Sequence, residues 1–320
     1  MGAGDETAGG DAPPLCVFNM AIATFSDASV WHRVSTRHST IRLRRSSVTN
    51  PYLQPNGTAV LQDSWFCFLD ILGFKEILKA NDHVRISQFH GLLQEGRMIL
   101  EGPPDDAEYL DRDFHALTSF TDNIALGFPI QEDGEMEAGM VFERVARFQL
   151  AIVLRGFFIR GGVAVGEAYI DELAVYGPAL LEAYAGESEL ARDPRIVLTE
   201  SAKTLVTEHL AYYGNAGHAP QNNVLKRDRD GQWFIDYLRA VIADESYDPP
   251  HADGDTVRAH RDVVTDQLRR FRQSPRIWSK YEWVALYHND FCRRYPDLFD
   301  ESFFIEIDTV RGQIGSIVEA

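Results

Sequence analysis

From Ser64 to Val165 the hydrophobic pattern switches between runs of strand length and stretches with apolar residues three and four apart. Ser64 to Asp70 is an apolar, aromatic run that ends on a carboxylate, the pattern of a buried strand. "GFKEILKA" follows, then "VRISQFHGLLQEGRMIL", with Ile86, Phe89, Leu92, Leu93 and Ile99 at helical spacing. His115 to Phe120 and Asn123 to Phe128 read as two short strands joined at Thr121 and Asp122, a tight hairpin. Met140 to Leu154 places Phe142, Val145, Phe148, Ile152 and Val153 on one helical face, with Gly156 as its C-cap. Phe158 to Val165 is the next strand, and "GEAYID" extends it. The order β-α-β-β-α-β predicts an α+β chain with a ferredoxin-like core. A helix over 179–190, the strand "RIVL" and a helix from Thr199 complete it.

Turn-rich and polar stretches divide the chain. Residues 1–14, rich in Gly, Ala and acid, are expected to be disordered. An arm at 15–60 ends in "NPYLQPNG", a catalytic-size domain spans 61–214, and "NAGHAPQNN" opens a mostly helical C-terminal extension at 215–320. That extension predicts a strand at Trp233 to Leu238 and helices at Asp255 to Phe271 and Ser279 to Arg293. The basic cluster at 42–45 reads as a solvated arm or a dimer contact.

Composition narrows the function classes. A net charge of −17 opposes sequence-independent contact with a nucleic-acid polymer, but permits one phosphate ligand whose charge metal ions offset. Cys16, Cys67 and Cys292 form no C-x-x-C pair, so a reducing compartment is expected. The longest apolar stretch is broken by Arg155 and Arg160, and the N-terminus has no basic-then-apolar leader; the expected location is cytoplasmic.

The carboxylate of Asp70 poses the chemical question, because a lone buried charge is costly unless something neutralises it. In the predicted topology the third strand lies beside the first, so Asp122 in the hairpin turn converges on Asp70. Either aspartate alone is ordinarily an N-cap or a turn residue. Two together repel, and divalent cations about 3.5–4 Å apart between shared carboxylates are the clamp used for in-line displacement at phosphorus. Gly73, at the start of the next helix, allows a phosphate to approach the backbone.

These segments resemble the class III nucleotide cyclases. "FLDILGF" is similar to their "F-x-D-[IL]-x-G-F", "SFTDNIALGF" to their second metal-aspartate hairpin, and "IRGGVAVGEAY" to their "R-x-G-[IV]-x-x-G" strand. "VYGPALLEAYAGESELARDPRIVLTE" is similar to the block that normally carries "G-x-x-V-N-x-x-x-R". The resemblance spans about Ser64 to Leu205 and departs from the family at informative places. Leu181 stands at the ribose-orienting Asn, Ala185 at the transition-state Arg, and Thr118 and Ala174 at the two purine-reading positions. With "YGPALLEAY" and "SKYEWVALYHNDFC", this combination resembles the bacterial pyrimidine cyclases of the Pycsar anti-phage system, which make cyclic UMP or cyclic CMP for a separate effector.

The resemblance implies two divalent ions, Mn²⁺ or Mg²⁺, on Asp70 and Asp122 with the Ile71 carbonyl. It implies phosphate contacts from Leu72, Gly73 and Phe74, UTP before CTP as substrate, and a homodimer with sites at the subunit interface. Phe66 or Phe68 would pack near the base. Arg160, Arg192 and Arg195 are candidate phosphate cations, and Arg97 a candidate base reader. The competing readings are a non-catalytic nucleotide sensor or dimer scaffold, and an adenylate or guanylate cyclase with unusual base contacts. No G-x-x-x-x-G-K-[ST], "GG[DE]EF" or H-x-x-x-H occurs, which excludes P-loop, diguanylate cyclase and zinc hydrolase readings.

Overall fold

Strand β1 (Gln62–Leu72) is buried without interruption from Ser64 to Leu69, which is why its aromatic run does not alternate with polar residues. The computed structural model describes residues 50–80, 82–101, 115–244 and 251–307. The expectations for 1–14, for most of the arm and for the basic cluster at 42–45 lie outside these residues. After β1 come α1 (Phe74–Lys79), α2 (His83–Glu101), β2 (Ala116–Phe120), β3 (Asn123–Pro129), α3 (Glu135–Leu154) and β4 (Phe158–Ile170). Next are β5 (Val175–Tyr176), α4 (Pro178–Ala185) with a π-turn (Gly186–Leu190), β6 (Ile196–Leu198) and α5 (Glu200–Leu210). The chain continues through α6 (Gln221–Val224), β7 (Leu225–Arg227), β8 (Trp233–Ile235), β9 (Ile242–Asp244), β10 (His251–Ala252), α7 (Gly254–Arg270) and α8 (Pro275–Arg294).

The main sheet has the order β2-β3-β1-β4-β6-β8-β7, with β5 added to β4. Only β4 and β6 run parallel, so the chain is mixed α/β with a mixed sheet. Helices α2 and α3 cover the face presented by Trp65, Cys67, Leu69 and Ile71. The opposite face carries Phe66 and Phe68, which pack with Tyr52, Ala164, Tyr169, Ala179 and Ala183 in a smaller cluster. A Cβ at Gly162 would run into the Ala183 carbonyl, so the main chain of α4 rests directly on β4.

The polar stretch after Gly214 is not a break in packing. Phe234 of β8 pairs with Val197 of β6, and Phe234, Tyr237, Val257, Val284 and Phe291 join the buried cluster that contains α3. All described residues fall in one compact unit. Several boundaries differ from expectation. β1 does not end on Asp70 but continues to Leu72, because Ile71 and Leu72 still pair with Ile159 and Phe158 of β4. The helix predicted from Met140 starts at Glu135, after Gly134 turns the chain with φ 78°. α8 starts at Pro275 rather than Ser279, since proline fits a first helical turn, where its missing N–H leaves nothing unpaired. The strand predicted to reach Leu238 ends at Ile235 and passes into a 3₁₀ turn, Tyr237–Val241. No helix among the described residues is long and apolar enough to cross a membrane.

A buried polar relay ties α7 to α8 and to the segment beyond. Tyr237 Oη lies 2.8 Å from His260 Nε2, His260 Nδ1 3.0 Å from His288 Nδ1, and His288 Nε2 2.8 Å from the Phe303 carbonyl. One proton assignment satisfies all three. Tyr237 donates to His260, His260 to His288, and His288 to the carbonyl, with both rings neutral. Burial pulls His288 down to about 4 and also lowers His260 well below its ordinary value, with His288 adding to the effect on His260. An unfolded histidine takes up its proton near 6.5, so the unfolded state binds more protons as the pH falls below that value. Stability is therefore full above pH 6.5 and declines toward pH 4. For His288 alone the loss is about 2 kcal/mol by pH 5. Thermal melts from pH 7.5 to pH 5 should show a smaller acid-induced drop in His288→Asn than in the wild type.

Candidate active site

Strand register positions the acidic residues. β1 pairs with β3 so that Asp70 lies opposite Asn123, and with β4 so that it lies opposite Arg160. The β2–β3 turn therefore closes against the end of β1, where the Ile71 amide donates to the Asp122 carbonyl at 3.0 Å. Thr121 enters that turn with φ 57°, and its hydroxyl donates to Asp122 Oδ1 at 2.8 Å. Alternation along β1 puts Asp70 on the face of Phe66 and Phe68, away from α2 and α3.

Arg160 joins two carboxylates. Its Nε donates to Asp70 Oδ2 at 3.1 Å and lies 2.6 Å from Glu187 Oε1, an ion pair without hydrogen-bond alignment. Glu187 sits in the π-turn after α4 and is 3% exposed. Burial pushes Asp70 above the usual carboxylate range against the pull of Arg160, and the charge of Asp122 adds to the push. Burial raises Glu187 as well, opposed by Arg160. Lys280, from α8, is within electrostatic reach of Asp70, Arg160 and Glu187.

Among the described residues no three His, Cys, Asp or Glu side chains converge as a closed metal site. The donors at the sheet end are carboxylate and carbonyl oxygens, the set that suits hard cations such as Mg²⁺ and Mn²⁺. Burial disfavours the ionised carboxyl of Asp70, and a cation bound there would offset that cost.

The other predicted residues divide. Gly73 turns the chain with φ 82° directly before α1. That helix has six residues, too few to present much of a dipole, and Phe74 packs on Phe89 at 4.4 Å. Leu72 also packs against the main core, so Leu72 and Phe74 offer main-chain groups only. Phe66 is fully buried in the smaller cluster and is core, not a ligand contact. Phe68 comes nearer the surface and meets Tyr184 edge-on at 5.6 Å. Thr118 pairs with Ala125 and Ala125 with Phe68, one row from Asp70 on the same face. Ala174 lies beyond the Ile170–Val175 pair, at the opposite end of β1 from Asp70.

Three of the candidate arginines lie apart from the pair of aspartates. Arg97 is on α2, which covers the other face, and its charge acts on His115 at the far end of β2. Arg195 is 1% exposed and is consumed by ion pairs to Asp228 and Asp230, so it is structural. Arg192 projects into solvent, 3.9 Å from Asp193. Glu187 and Lys280 were not anticipated. Their signals were slight: a glutamate after Gly186, and one lysine among Trp278, Tyr281 and Trp283.

No protein-family model matches the chain, and no curated protein matches it.

Removing the shared guanidinium leaves a half-buried Asp70 and a buried Glu187 without their cation, at roughly 2 kcal/mol. Both carboxyls then rise further above their unfolded values, so the folded state gains protons as the pH falls and the penalty shrinks. Arg160→Leu should lower the melting temperature most at pH 8 and progressively less toward pH 5.

Proposed function

We propose that this chain is a class III-type nucleotide cyclase that converts a pyrimidine nucleoside triphosphate, UTP in preference to CTP, into its 3′,5′-cyclic monophosphate and diphosphate. The observation that carries the reading is the meeting of Asp70 and Asp122 at one sheet end, linked by the Ile71–Asp122 hydrogen bond. The antiparallel order β2-β3-β1-β4, with α2 and α3 on one face, supports a ferredoxin-like cyclase core.

Asp70 and Asp122, with the Ile71 carbonyl, would hold two divalent ions, Mn²⁺ or Mg²⁺. When bound, these supply acidity to the attacking hydroxyl and charge compensation to the leaving diphosphate. The 3′-oxygen forms its bond to the α-phosphorus as the α–β bridging bond breaks. Its proton passes to solvent, and diphosphate leaves with the bonding electron pair. The chain's own part is placement: the Gly73 turn offers amides to phosphate, and Arg160 offers a guanidinium beside Asp70. Phe68 and Tyr184 form an apolar wall for the base.

A homodimer belongs to the same reading. Leu173, Tyr176, Leu181 and Tyr184 are exposed apolar side chains around α4 and the β4–β5 hairpin. A two-fold partner would cover them and bring its own hairpin, remote from Asp70 within one chain, toward that aspartate. The product would be a cytoplasmic messenger of anti-phage defence, read by a separate effector. Leu181 and Ala185, in place of the family's Asn and Arg, favour the second reading, a nucleotide sensor without turnover.

Incubation with each radiolabelled nucleoside triphosphate and Mn²⁺ separates the two. The cyclase reading expects a cyclic pyrimidine nucleotide, reduced at least about 10³-fold in Asp70→Ala and in Asp122→Ala. Metal-dependent binding with no turnover of any nucleotide leaves the sensor.

A further inference from the structure

Lys280 lies in the C-terminal extension, on α8. The first half of α8 is pinned at two places to the strand segment that carries Arg160. Tyr281 packs edge-on against Phe158 at 4.9 Å, and Phe158 is two residues before Arg160 on β4 and paired with Leu72 of β1. Trp283 lies under the Arg195 guanidinium at 5.7 Å, and the Arg195 carbonyl accepts from the Gly161 amide at 3.1 Å. Between these pins Lys280 is half-buried, within electrostatic reach of Asp70, Arg160, Glu187 and Asp193. Among the described residues its ammonium makes neither an ion pair nor a hydrogen bond.

A half-buried ammonium with no direct partner is costly and gains from the arrival of an anion. Charge balance fits a polyphosphate. Asp193 has Arg192 beside it, and Arg276 also acts on Lys280, which leaves Asp70, Asp122 and Glu187 against Arg160, Lys280 and Arg276, with no net charge. Two divalent cations and a nucleoside triphosphate of charge about −4 leave that balance unchanged. Once cations occupy Asp70 and Asp122, Arg160 keeps Glu187 while Lys280 loses the pull of Asp70, and polyphosphate oxygens replace it.

We propose that Lys280 is a phosphate-binding residue of this site, a C-terminal ammonium that engages the β- and γ-phosphates and then the departing diphosphate. The inference rests on the cyclase reading. It makes α8 part of the site and not an appended brace.

The test is calorimetric titration of the full chain with inorganic diphosphate in Mn²⁺, for wild type, Lys280→Gln and Lys280→Arg, with uridine monophosphate as control. Lys280→Gln should weaken diphosphate binding at least about tenfold, with the melting temperature and monophosphate binding unchanged. Lys280→Arg should restore most of it, and in Lys280→Gln the KM for the triphosphate should rise more than kcat falls. Wild-type affinity for diphosphate in Lys280→Gln, alongside wild-type turnover, overturns the inference alone. So does equal weakening of diphosphate and monophosphate, or a lowered melting temperature, which would mark a structural lysine. A wild-type chain that binds neither diphosphate nor any triphosphate overturns the cyclase reading and this inference with it.

Discussion

The site depends on β1 being paired along both edges. Its ladder with β3 runs from Ser64–Pro129 to Asp70–Asn123, and its ladder with β4 from Gln62–Ala168 to Leu72–Phe158. A slip of one residue would turn Asp70 toward α2 and α3 and drive its carboxylate into the aliphatic core. The large apolar side chains Trp65, Leu69 and Ile71 hold the register, because they fit only the helix-covered face. The placement of a charged residue is thus enforced by the burial of its uncharged neighbours.

The face that carries Asp70 is shaped by small residues. Ala116, Ala125, Ala164 and Gly162 keep the surface low, which lets α4 settle directly on β4. Tyr52 fills one end, its ring over Gly127 and its hydroxyl donating to Ser64 Oγ at 2.9 Å. Phe68 and Tyr184 stand between that filled end and the acidic residues. A sheet face is therefore divided along its length into a closed apolar half and a half edged with charge.

Two arginines near each other in the fold serve different ends. Arg195 is sealed against Asp228 and Asp230 under Trp283, and this cluster ties α8 and the β7–β8 hairpin to the main sheet. Arg160, one residue from the segment that Arg195 supports, stays partly accessible and is shared by two carboxylates whose burial raises them. Sequence offers no means of telling them apart, since each is a lone arginine next to a strand of small and aliphatic residues. The difference comes from Asp228 and Asp230, about thirty residues on, which reach one and not the other.

Local pattern alone determined a good deal: the strand that carries Asp70, the hairpin that presents Asp122, the helices flanking them, and the convergence of the two aspartates. Apolar period and turn chemistry encode such features within short windows, and the two aspartates share an end because strand order constrains them. Tertiary structure decided the rest. That Phe66 is sealed while Phe68 meets the exposed Tyr184 depends on Tyr52 and on α4. The side of the sheet taken by Arg97 depends on which face α2 covers. The polar run after Gly214 suggested a separate extension, yet Phe234 and the apolar faces of α7 and α8 complete the main core. Glu187 and Lys280 reach Asp70 only through a π-turn and a distant helix. Burial and charge proximity are properties of surfaces brought together from remote segments, and no window of sequence contains both sides of such a contact.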